Sequence, residues 1–308
     1  MPGIYVFSED SALAKQLLTP ALELKNSLNQ PVVALALNEA EAKELAGLGA
    51  DRAVILQSAN KWAEGFAEAI YSQVSASGAS VLLVGGTLRG KHVAAYVAAK
   101  MNAGMTTDAK TLKIENGKLV AVRVLYAGLA LCEEEVALPA VATVRARTFV
   151  APTAAPSTGA VETVAVEGDS RVTLKAVSST ASAGVDISAA NKLISVGRGF
   201  RQKEDLKLAD ELGAALKAEL SCSRGIAEDE HWLPIERYVG ISGQSVKPDL
   251  YLAVGLSGQV QHMVGCRESK VIVAVNNDER SPIFEAADYG IVGDLYEVLP
   301  LLTAAIGK

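Results

Sequence analysis

The sequence predicts an α/β chain in two domains: an N-terminal α/β domain with a mostly parallel sheet plus a β-hairpin over residues 1–184, and a C-terminal doubly wound domain over residues 185–308. Three observations lead there. Short apolar runs that end in Gly, Ser, Asn or Asp alternate with longer segments of helical apolar spacing. Half of the residues are hydrophobic yet few are aromatic, as in Val-rich strands covered by Ala/Leu helices. A length of 308 residues suffices for two separate cores.

The elements follow in order. Ile4–Phe7 and Pro31–Leu37 are strand-like, with helical spacing over Leu13–Leu28 and Glu39–Leu48. Ala53–Leu56 and Val81–Gly85 are further strands, and Trp62–Ser75 and Lys91–Met101 are helical. The pattern then changes: Asn116-Gly117 between Thr111–Glu115 and Lys118–Leu125 signals a hairpin, because Asn-Gly accepts the positive φ angles of a tight turn. Ala137–Arg145 and Arg171–Val177 are β-like and flank the proline-bearing segment Ala151–Ala160. Ser178–Gly184 is small, polar and aperiodic, which makes it the domain boundary. Beyond it, strands fall at Leu193–Val196, Glu219–Ser221, Leu250–Val254, Val271–Val275 and Tyr289–Val292, and helices at Lys203–Leu216, Gln259–Val264 and Leu295–Ile306.

Composition excludes several classes. The net charge is −6 and no basic run exceeds a pair, which speaks against a nucleic-acid partner. No stretch approaches the ~20 apolar residues of a membrane span. Met-Pro-Gly-Ile-Tyr-Val-Phe enters a strand at once, unlike a signal peptide. Cys132, Cys222 and Cys266 are far apart and form no CxxC, so reduced thiols in a cytoplasmic protein are expected, with no disulfide set or metal site.

Polar residues gather where the second domain's strands end, the edge at which open α/β sheets bind ligands. Val196-Gly197-Arg198-Gly199-Phe200 offers glycines for close backbone approach and Arg198 for a phosphate, although glycine there also serves an ordinary tight bend. Ser223 and Arg224 end the next strand. Val239-Gly240-Ile241-Ser242-Gly243 has the composition of a turn. Ser257-Gly258-Gln259-Val260-Gln261-His262 places small residues, amides and an imidazole at a helix start, where free N–H groups attract anions. Asn276 and Asp294 follow the last two strands. His92 and His231 lack such a setting.

Two other arrangements fail. Gly85-Gly86-Thr87-Leu88-Arg89-Gly90-Lys91-His92 nearly spells a phosphate-binding P-loop, but its last position must be Ser or Thr to hold magnesium, so a structural or subunit-contact role is expected. Asp288 and Asp294 precede and follow one strand and so lie at opposite sheet edges, too far apart for an acid/base pair. No GxSxG or HExxH is present.

The strings LYLAVGLSGQVQHMVG, VIVAVN and SPIFEAADYGIVGD, with VGRGF, CSRGIAED and YVGISG before them, closely resemble the alpha subunit of electron-transfer flavoprotein over Leu193–Leu301; GGTLRGKHVAAYVAAKM extends the likeness more loosely into the first half. The resemblance implies a Rossmann-like second domain that binds FAD, with a beta subunit completing a heterodimer. Carried over by position, the FAD contacts are Arg198, Ser223, Arg224, Val239, Gly240, Ile241, Ser242, Ser257, Gly258, Gln259, Val260, Gln261, His262, Asn276, Asp294 and Leu295. It places the Ser242 hydroxyl near flavin N5, Arg224 over the ring system, His262 near the pyrimidine carbonyl, and Asn276 and Asp294 at the adenosine end. Many members have Gln-Thr where this chain has Ile241-Ser242; the hydroxyl is kept and the side-chain amide is lost. That departure points to the subgroup serving anaerobic acyl-CoA or carnitine-type reductions.

The function implied is electron carriage between flavoprotein or ferredoxin-type donors and acceptors such as acyl-CoA dehydrogenases or reductases, without catalysis of a substrate reaction. The alternatives are an integral subunit of an acyl-CoA reductase or electron-bifurcating complex, and a nucleotide-binding regulator with no redox role.

Overall fold

A computed structural model describes residues 2–58, 62–154, 159–168, 171, 175–176 and 186–307. The chain divides into two compact units, Met1–Val177 and Ser178–Lys308. The expected boundary segment Ser178–Gly184 lies outside the described residues, and the division falls at its start.

The first unit contains, in order, β1 (Ile4–Phe7), α1 (Ser11–Leu28), β2 (Val32–Ala36), α2 (Glu39–Gly47), β3 (Arg52–Gln57), α3 (Ala67–Ser77), β4 (Val81–Gly85), α4 (Leu88–Met101), β5 (Gly104–Thr106), β6 (Ala109–Glu115), β7 (Lys118–Leu125), β8 (Ala130–Ala137), β9 (Ala140–Val144) and β10 (Ala160–Ala165). Seven strands form a parallel sheet in the order β10-β3-β2-β1-β4-β9-β5. Successive side chains of a strand point to opposite faces. Ile4 and Val6 therefore pack with Leu17 and Leu24 of α1, while Tyr5 and Phe7 pack with Ile70 of α3 and Val97 of α4. A sheet covered on both faces accounts for the unbroken apolar runs of β1, β2 and β4.

The hairpin forms at Asn116-Gly117, where both residues adopt positive φ (50° and 74°). A third strand, β8, extends it to an antiparallel sheet β6-β7-β8. Two expectations need correction. The run Ala137–Arg145 is not one strand: Ala137 ends β8, Leu138-Pro139 turns the chain, and β9 joins the parallel sheet. Of Arg171–Val177 the described residues, 171, 175 and 176, are not strand, and 172–174 and 177 lie outside the described residues.

The second unit comprises β11 (Lys192–Val196), α5 (Lys207–Leu216), β12 (Glu219–Cys222), β13 (Leu250–Val254), α6 (Val260–Cys266), β14 (Ile272–Asn276), α7 (Ile283–Ala286), β15 (Tyr289–Val292) and α8 (Leu295–Ile306). Its five strands form a parallel sheet in the order β12-β11-β13-β14-β15. Ile194, Val196, Leu252 and Val254 face α5 and α8 through Leu212 and Leu299, and Leu193, Tyr251 and Ala253 face α6 through Met263 and Cys266. The chain runs from β11 out to β12 and then crosses back to the other side of β11, so a topological switch point opens between the ends of β11 and β13.

Candidate functional site

A groove of about 680 Å³ runs along the carboxyl edge of the second sheet, within the ~300–1,000 Å³ typical of ligand sites. Its centre is the switch point. Gly197 N–H donates to the Val254 carbonyl and Gly199 N–H to that of Gly255, clamping the loops after β11 and β13 together. A Cβ on Gly197 would meet the Gly255 carbonyl oxygen at 2.3 Å, so glycine is required there by loop-on-loop packing; only Gly199 of the pair lines the groove. Gly255 itself adopts φ +61°.

Arg198 leaves this loop toward β12, its aliphatic stem lying across Gly225. Ser223 and Arg224 line the same end, where the chain enters a π-helical turn at Gly225–Asp229. Arg224 is 68% exposed and donates from Nε to the Glu228 carboxylate one turn later, which raises its already high pKa. The loop Val239–Gly243 supplies Ile241 and Ser242, and the Ser242 hydroxyl pairs with the Tyr238 phenol at 3.1 Å. Ile241 N–H donates to the Gln261 carbonyl, tying this loop to α6. Val239 is fully buried beneath it, and neither Val239 nor Gly240 nor Val260 lines the groove, although all three stand among the expected contacts.

Ser257, Gly258, Gln259, Gln261 and His262 line the middle. Gly258 has φ +77° and lies against the backbone of Ile283, leaving no room for a side chain. His262 is 8% exposed. Its Nε2 lies 2.8 Å from the Tyr251 hydroxyl, while its Nδ1 has no partner of hydrogen-bond geometry. Burial lowers the imidazole pKa to about 4, the nearby Val239 backbone offsetting this only in part, so the ring is neutral at physiological pH.

At the far end Asn276, Asp294 and Leu295 meet. Asn276 donates from Nδ2 to the Leu256 carbonyl at 2.7 Å and accepts from Asp278 N–H at 2.9 Å, bracing two groove loops. Asp294 is the N-cap of α8, accepting from Tyr296 N–H. Both side chains thus have structural duties as well as a place on the groove wall. Sequence reasoning missed Arg201 and Tyr296, which also line it. The Arg201 guanidinium stacks over the Tyr296 ring at 4.7 Å, and the Tyr296 hydroxyl donates to Asp205 and accepts from Arg201 N–H. The helix start at Leu295 was expected, and Asp294-Leu-Tyr-Glu297 is a capping signal that puts Tyr296 in its first turn beside the groove.

Elsewhere, the near-P-loop makes local structural contacts. Thr87 caps α4 by accepting from Gly90 N–H and donates to Glu9, and a Cβ on Gly90 would collide with the Gly85 carbonyl. Asp288 accepts from Ile272 N–H at the opposite edge of the sheet from Asp294. Among the described residues no cluster could hold a metal ion, and no helix is long and apolar enough to cross a membrane.

Comparison with known proteins accords with this geometry. The electron transfer flavoprotein domain matches residues 9–169, and the electron transfer flavoprotein FAD-binding domain matches residues 186–267. The chain is 41% identical to protein FixB of Escherichia coli O6:K15:H31 over 311 aligned positions, covering 99% of this chain and 98% of that protein. The FixB proteins of Escherichia coli O157:H7 and Shigella flexneri are 40% identical over the same shares. The chain belongs to the electron transfer flavoproteins, as an alpha subunit.

The flavoprotein is thus an electron-transfer protein that binds FAD. Its groove fits that cofactor on structural grounds. Arg198, Arg201 and Arg224 suit a pyrophosphate and an electron-rich ring, serine hydroxyls stand along the wall, and a buried imidazole nitrogen lacks a partner. The groove extends beyond the matched 186–267 segment to Asn276, Asp294 and Tyr296, so α8 belongs to the same site architecture.

Proposed function

We propose that this alpha subunit holds FAD in the groove at the switch point, pairs with a beta subunit, and passes electrons between protein partners without catalysing a substrate reaction. The observation that carries the reading is the gathering of three guanidiniums, four serines and one unpartnered buried imidazole nitrogen on a single sheet edge. FAD, when bound, supplies the redox chemistry that no side chain here provides.

The chain's own residues bind and tune. Arg198, braced across Gly225, neutralises phosphate charge. Arg224 brings positive charge to the β12 end, moderated by Glu228. Ser242 is oriented by Tyr238, a phenol and not a base, which supports a hydrogen-bonding role over a nucleophilic one. Asn276 keeps the loops after β13 and β14 at fixed separation. A second subunit is supported by apolar surface at and beside the groove mouth, where Ile241 is 64% and Val260 49% exposed. Ile241, which has no amide to offer a ring, supports assignment to the acyl-CoA or carnitine-type subgroup.

The test is to purify the full chain with its partner, release the cofactor with acid and identify it by chromatography. FAD is expected; recovery of NAD or ATP in its place overturns the reading.

A further inference from the structure

We infer that Tyr251 is a positioning residue for the groove: its hydroxyl donates to Nε2 of His262 and so holds the imidazole as the Nδ1–H tautomer, a neutral donor for whatever occupies that part of the site. Tyr251 lies within β13, pointing to the α6 face, and is fully buried. Its oxygen is 2.8 Å from Nε2, with the two rings tilted by 52°.

The direction of that hydrogen bond follows from the surroundings. Burial pushes the phenol well above its usual pKa, so it keeps its proton and needs an acceptor. The hydrogen bond that the phenol oxygen makes is to Nε2 of His262. The Ser195 hydroxyl is buried without a partner of hydrogen-bond geometry, and Ser221 donates to the Ile194 carbonyl at 3.5 Å, so neither competes for the phenolic proton. The Cys266 thiol is directed at the His262 carbonyl and the Met263 sulfur. The phenolic proton therefore goes to Nε2, the acceptor 2.8 Å away.

A neutral imidazole has one N–H and one lone pair. Once Nε2 accepts, the proton must be on Nδ1. The Val239 carbonyl lies near enough to favour a protonated ring nitrogen without reaching hydrogen-bond geometry, which agrees with that tautomer. Val239, although absent from the groove wall, thereby acts on a residue that lines it. The inference rests on the reading of the groove as the FAD site for its consequence: a neutral donor stabilises added electron density without the full charge an imidazolium would bring.

The tautomer is directly measurable. The chain has three histidines, His92, His231 and His262, so the full-length protein labelled with ¹⁵N at histidine gives three imidazoles, and His262→Gln assigns the third. In the flavin-free protein at neutral pH, Nε2 of His262 is expected as the unprotonated nitrogen and Nδ1 as the protonated one; an Nε2–H tautomer overturns the proposal, whether or not any variant folds. Tyr251→Phe should redistribute the proton between the two nitrogens, and an unchanged spectrum in a folded variant also overturns it. In the loaded protein, Tyr251→Phe should shift the flavin midpoint potential, and the shift should vanish in a His262→Gln background; a shift that persists there means Tyr251 does not act through His262. If the protein takes up no FAD, the cofactor reading fails separately, because the tautomer is read without it.

Discussion

The neutrality of His262 predicts a specific acid sensitivity. Its pKa is about 4 in the folded protein, against about 6.5 in an unfolded chain. Between those values the unfolded chain binds more protons, so stability falls as the pH drops from about 6.5, and this contribution is exhausted below about 4. The two values correspond to about 2 kcal/mol lost at pH 5 and about 3 kcal/mol at pH 4. The other ionisable groups against the ring stay neutral across this window: burial holds the Cys266 thiol at about 12 and Tyr251 well above its usual value. Carboxylates that titrate in the same range do so in both proteins and cancel when the wild type is compared with His262→Gln. Trp232 is the second unit's only tryptophan, so its fluorescence in a Trp62→Phe background follows unfolding of that unit. Urea titrations at pH 7 and pH 5 should show the wild type losing about 2 kcal/mol more than the variant. Parallel losses in the two proteins refute the buried, neutral imidazole.

Arg224→Ala should lower the midpoint potential of bound FAD, on the order of tens of millivolts, by removing positive charge and leaving Glu228 unpaired. Glu228→Gln should raise it, because the same guanidinium is then uncompensated; spectroelectrochemical titration reads both, and shifts of the same sign would contradict the pairing. Arg198→Ala should lose FAD on gel filtration while the flavin that remains keeps its potential, since this side chain serves phosphate. Gly258→Ala combines a left-handed φ of +77° with a Cβ placed 2.3 Å from Ile283 N. Destabilisation of the second unit by about 2–4 kcal/mol is expected, with loss of FAD, and a variant as stable as the parent would show that the loop relaxes freely.

Much of the fold was legible locally. The apolar runs at Ile4–Phe7 and Val81–Gly85 and the Asn116-Gly117 turn report burial and backbone sterics that act within a few residues, so a short window contains their cause. β8 was missed because Glu133, Glu134 and Glu135 break its apolar alternation; it is half-exposed, and its cross-strand partners on β7 determine it. Ala137–Arg145 was misread for a related reason, since Ala137 closes a strand of one sheet and Ala140–Val144 joins another.

The groove shows the same division. Sequence alone determined which polar residues end the strands of the second unit, because a buried parallel strand must be apolar until it reaches the sheet edge. Tertiary structure decided what those residues can do there. Strand order opens the switch point between β11 and β13 and brings Tyr296 under Arg201, 95 positions earlier in the chain. Side-chain pairing gives Arg224 its counter-charge in Glu228 and turns Tyr251, outwardly one more apolar strand residue, toward His262. Such pairings depend on the path of the backbone through space, where groups distant in sequence lose water together and must satisfy one another.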